Sequence, residues 1–182
     1  MNGEKHKDSG GKMNHSEIRA LFEKKISDAL DLIKNAKNGD LLSISTSVSY
    51  IDDKLNEKQT YNGYDNTSIV ATATVYVKGA DTDEDPSYVI SLLADIKNGV
   101  AKNPAELANE LQSFDTELAR FLSELSSSEN VAELIHREDE RIDEEGAKMA
   151  AKLEESLTKM KKAGIIGVIV IFAILFIFTL LK

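Results

Sequence analysis

One uninterrupted apolar run, Ala163 to Leu181, constrains this chain more than any other segment. Thr179 is its one polar side chain, and Lys182 follows it. As a helix rising about 1.5 Å per residue, roughly 19 residues extend about 28 Å, close to the hydrocarbon thickness of a bilayer. The remainder of a 182-residue chain is too small and too polar to surround a helix that is apolar on every face. The run therefore predicts a single transmembrane helix over 163–181. Lys159, Lys161 and Lys162 precede it, where basic side chains meet a membrane surface, and they favour a cytoplasmic N-terminal domain. Met1 to Asn14 is polar, lacks the apolar stretch of a signal peptide, and reads as a flexible tail. The expected plan is a tail-anchored, single-pass membrane protein.

Residues 15–125 read as one small α+β domain. Ser16 is a plausible cap for a helix to about Lys37, because Ile18, Leu21, Phe22, Ile26, Ala29, Leu30 and Ile33 fall on one face. The period then changes to two. Leu42, Ile44, Thr46, Val48 and Tyr50 alternate with serines, and Ile69, Ala71, Ala73, Val75 and Val77 form a second alternating set. An antiparallel hairpin follows, which by itself is marginal in water and requires helices, further strands or another chain to cover it. Asp85-Pro86 opens a predicted helix through Asn98-Gly99, with Val89, Leu92, Leu93 and Ile96 inward. Asn103-Pro104 opens another.

That last helix carries a coiled-coil spacing. Leu107, Leu111, Phe114, Leu118, Phe121 and Leu125 are separated alternately by four and three residues. The same count continues through Ile135, Ile142, Met149 and Leu153 to Met160, passing Asp139, Gly146 and Ser156, where a strong seam would be apolar. Residues 126–162 therefore read as a charged helical stalk, either continuous with the preceding helix or broken at Ser126-Ser127-Ser128. Ala163, Gly164 and Gly167 give the terminal run a small-residue face on which two helices can approach closely. Together the seam and this face predict a homo-oligomer.

The chemistry-bearing residues argue against an enzyme. A formal charge of −9 argues against a nucleic-acid partner, and the absence of cysteine excludes thiol nucleophiles and thiolate metal sites. None of His6, His15 and His136 has a second histidine or a carboxylate at helical ligand spacing within an apolar pocket. Asp81, Asp83, Glu84 and Asp85 fail the EF-hand frame, with Pro86 where glycine belongs and Leu92 where a bidentate Glu belongs. No cofactor, metal or small-molecule substrate is indicated. Tyr50, Tyr61, Tyr64, Tyr76 and Tyr88 gather around the hairpin, where tyrosines usually pack across strands.

The expected function is that of a noncatalytic membrane adaptor or scaffold. It would bind the bilayer together with itself or another protein, through the exposed hairpin edge and the seam from Leu107 to Met160. An alternative rests on plan alone. The stalk, basic segment and C-terminal anchor over 129–182 resemble the plan of SNARE proteins, which implies membrane fusion or remodelling, although Asp139 stands where that family has a central Gln or Arg. A membrane-permeabilising effector is a third reading, weakened by the lack of a polar face in 163–181.

Overall fold

The computed structural model describes residues 12–81, 85–152 and 154–155. Helix α1 spans His15–Ala36 and begins at a capping box. The Asn14 side chain accepts from the Ser16 and Glu17 amides, and the Glu17 carboxylate accepts from the Asn14 amide at 2.8 Å. The cap is thus Asn14 and not Ser16. Five strands follow: β1 (Leu42–Asp52), β2 (Glu57–Lys58), β3 (Asn66–Val77), β4 (Tyr88–Lys97) and β5 (Val100–Ala101). Helix α2 spans Pro104–Ser127, capped by Asn103, with the ring of Pro104 in the first turn, where no amide hydrogen is needed.

The strands form one antiparallel sheet in the order β2-β1-β3-β4-β5. The two segments read as a hairpin are β1 and β3, in register from Leu42 opposite Val77 to Asp52 opposite Thr67. Between them the chain makes the short β2 on the outer side of β1, then returns past the end of β1. The segment expected to be a helix over 85–99 is instead β4, and the reason is visible in its burial. Tyr88, Ile90, Leu92, Ala94 and Ile96 are buried while the residues between them are exposed. A strand here gives the second edge of β3 its hydrogen-bonding partner, which a helix cannot do. Asn98 and Gly99 are not a helix stop. Both have positive φ, 51° and 78°, and form the two-residue turn between Lys97 and Val100.

Both helices lie on one face of the sheet. α1 buries Ile18, Phe22, Ile26, Ala29 and Ile33, chiefly against β3, and α2 buries Leu107, Phe114, Leu118, Phe121 and Leu125, chiefly against β4. Lys25 links the helices through Asp115 at 2.7 Å. Fully burying each Ile, Leu or Phe contributes about 1.5–3 kcal/mol, so this shared core outweighs any single polar contact in the domain.

Three further expectations are corrected. No long heptad stalk exists among the described residues. α2 ends at Ser127, and a new helical stretch starts at 131, capped by Asn130, whose side chain accepts from the Glu133 amide. Its residues 131–139 belong to the same compact unit as the sheet and bury Leu134, Ile135 and Glu138. Glu140 begins a second unit. Its described helical residues are mostly exposed and charged, with Arg141 paired to Glu145 and Lys148 to Glu144 one turn apart.

The transmembrane, tail-anchored assignment and the membrane location are corrected only as far as the described residues reach, which hold no candidate span. Among the described residues no helix is long and apolar enough to cross a membrane. α1 and α2 each carry one apolar stripe and a charged opposite side, the pattern of helices that pack on a sheet. The run 163–181, with Ala163, Gly164 and Gly167, lies outside the described residues, as do Lys159, Lys161 and Lys162.

Candidate functional site

The two long edges of the sheet are finished differently. On the β4 side, the Leu93 amide donates to the Glu110 carboxylate of α2 at 2.9 Å, and the Asp95 carbonyl accepts from the Lys102 amide at 2.8 Å. Strand β5 is itself covered: Ala101 donates to the Met13 carbonyl, His15 donates to the Gly99 carbonyl, and Asn14 bridges Val100. This edge offers little to an incoming strand.

The β1 side is open. β2 pairs only with Tyr50 and Ile51, leaving Leu42 to Ser49 without a neighbouring strand among the described residues. The ladder alternates, so every second residue turns its amide and carbonyl away from β3. The Lys78 amide donates to Leu41, which fixes the phase and places the outward groups on Ile44, Thr46 and Val48. Beside them runs a groove of about 390 Å³ lined by Ile26, Leu30, Thr46 and Val48 together with Arg19 and Glu23. Arg19 and Glu23 neutralise each other at 2.8 Å. From Leu41 to Ile51 no residue is charged, and none is proline. Sheet edges are ordinarily guarded by such residues, because an unguarded edge recruits other strands.

At the far end the edge is closed by a polar and aromatic cluster. Tyr61 stacks on His15 with ring centroids 4.0 Å apart, Tyr50 lies 5.6 Å from Tyr61, and the Arg19 guanidinium sits 5.3 Å above the Tyr50 ring. Next to it, the buried Asp52 carboxylate accepts from the Asn56 amide at 2.9 Å and the Lys54 amide at 3.0 Å, and it pairs with Lys58 at 3.4 Å. These contacts, the Asn56 amide foremost, hold its pKa below the ordinary carboxylate value against the opposing effect of burial. Lys58 donates to the Tyr64 hydroxyl, which raises the lysine pKa and lowers that of the tyrosine. The three shifted groups satisfy one another and fix the β1–β2 turn, in which Leu55 has φ of 59°. Among the described residues there is no cluster of metal-ligating side chains.

The residues expected to form an oligomerisation seam are divided. Leu107, Phe114, Leu118, Phe121, Leu125 and Ile135 are buried in the domain's own core, whereas Leu111 and Ile142 are half-buried and Met149 is 72 % exposed. Leu153 and Met160 lie outside the described residues. Of the edge residues, Thr46 is exposed, and Ile44 and Val48 are half-buried. α1 packs more over β3 than over β1, which leaves the middle of β1 partly uncovered. Compared with known proteins, the chain matches no family model, no curated sequence and no solved structure.

Proposed function

We propose that this chain is a noncatalytic interaction module that recruits a protein partner or another copy of itself by adding a strand to the open edge of β1. One observation carries the reading: seven residues of edge strand, Ser43 to Ser49, with no charge, no proline and, among the described residues, no strand on the side away from β3. Strand addition draws affinity from main-chain hydrogen bonds and specificity from pockets that receive alternate side chains. The groove between α1 and β1 supplies such pockets. The shifted groups next to the edge support a binding rather than a catalytic role, because Asp52, Lys58 and Tyr64 are linked through Lys58 in holding a turn.

Thr46→Pro tests this cleanly. The Thr46 amide points away from β3, so proline removes an outward donor and spares the β1–β3 ladder. The full chain and the variant should have the same far-ultraviolet circular dichroism. Proteins captured by the wild type and lost by the variant support edge recruitment. Identical captured sets and an identical oligomeric mass from both proteins would sink it.

A further inference from the structure

Resting on the reading that the β1 edge recruits a strand, we infer that its occupant is the β1 of a second copy, paired antiparallel about a twofold axis at Thr46. A twofold contact needs a surface complementary to itself, so that if residue i meets residue j, then j meets i. β1 has this property in its sequence. About Thr46 the flanking pairs are Ser45 and Ser47, Ile44 and Val48, and Ser43 and Ser49. Read in either direction, the strand presents the same order of side-chain types.

The backbone agrees. Ile44, Thr46 and Val48 are the residues whose amides and carbonyls point outward, and they are symmetric about Thr46. With Thr46 opposite Thr46 of the second copy, Ile44 falls opposite Val48, and the outward amides of Ile44, Thr46 and Val48 in either copy find carbonyls in the other. The free span agrees as well. β2 first pairs at Tyr50, so Val48 is the last outward-facing residue left for a partner, and its symmetry mate is Ile44.

Side chains on both faces of the new pair are compatible. Ile44 and Val48 meet beside the α1 groove, extending the apolar surface of Ile26 and Leu30 into the second copy. On the opposite face Ser45 meets Ser47, repeating across the axis the hydroxyl contact that Ser47 already makes with Thr72 at 2.9 Å. Electrostatics selects the place. Copies carrying −9 repel, and the least repulsive approach is through a surface without acidic side chains. Asp40 and Asp52 flank the uncharged segment but do not enter it.

The chain contains no cysteine, so engineered thiols report unambiguously. Full-length Thr46→Cys should form a disulfide-linked dimer on mild oxidation, because hydrogen-bonded antiparallel pairs have Cα atoms about 5.5 Å apart, within disulfide reach. Mixed Ser45→Cys and Ser47→Cys chains should cross-link to each other faster than either does to itself. Light scattering of the full chain should give the mass of two copies, falling to one in Thr46→Pro. A monomeric wild type, or a dimer that survives Thr46→Pro, overturns the self-pairing. If the wild type is monomeric while Thr46→Pro still abolishes capture of another protein, only the identity of the occupant is wrong and the edge remains the site.

Discussion

The ring of Phe121 lies on that of Tyr88, with centroids 3.8 Å apart and planes 18° from parallel. The two residues are fully buried and join α2 to the first residue of β4. Phe121→Ala leaves a ring-sized hole against Tyr88 and should lower stability by about 3–5 kcal/mol, measured by urea unfolding. The loss belongs to a single chain. If Phe121 instead served an intermolecular seam, the penalty would depend on protein concentration.

Arg120 gathers three carboxylates, bonding Glu117 at 2.8 Å, Glu124 at 2.6 Å and Glu138, which is only 2 % exposed. Its pKa is raised, chiefly by Glu138. Arg120→Ala removes the cation that bonds both oxygens of the buried Glu138 carboxylate and should cost about 3 kcal/mol or more. The double variant Arg120→Met with Glu138→Leu should recover most of that loss in the same unfolding assay, because no charge is then left buried.

The helical spacing in Leu107 to Leu125 is real, but spacing alone does not name the surface it packs on. A stripe at intervals of three and four fits a partner helix and fits a sheet equally well. Here the sheet takes it. Tyr88 to Lys97 is similarly double: Val89, Leu92, Leu93 and Ile96 have helical spacing, while Tyr88, Ile90, Leu92, Ala94 and Ile96 alternate. The unpaired edge of β3 and the turn at Asn98-Gly99 decide for the strand, and the first of these is a tertiary fact absent from the local sequence. The alternation of β1 and the Asn-Pro start of α2 were legible because both signals are local. The open edge at Thr46 was legible only as an absence of charge, since its emptiness depends on where β2 stops.

Gly99 tests that turn. A Cβ there would meet only ordinary contacts, 3.7 Å from the Tyr61 hydroxyl and 4.0 Å from His15 Nδ1, so steric exclusion is not the issue. The cost of Gly99→Ala comes from holding an L-residue at φ of 78°, about 1–2 kcal/mol. Thermal unfolding should show that loss, with the folded-state circular dichroism unchanged.

Asp52 sets an acid limit. Its folded pKa lies below the unfolded value of about 3.9, so its contribution is present above that pH and is lost as pH falls through the folded value. The stability of the wild type should drop more steeply below about pH 4 than that of Asp52→Asn. Parallel curves for the two proteins would show that the carboxylate contributes nothing through its charge.

α1 is made before the sheet it covers. Its main strand, β3, is complete only at Val77, and the roughly forty residues after Ala36 take about 2–8 s to synthesise at about 5–20 residues per second. Through that interval the nascent chain holds Ile18, Phe22, Ile26, Ala29 and Ile33 without the strand on which they chiefly pack. A ribosome stalled before Val77 therefore holds the apolar stripe of α1 without its main strand, so the order of synthesis leaves that stripe exposed longest.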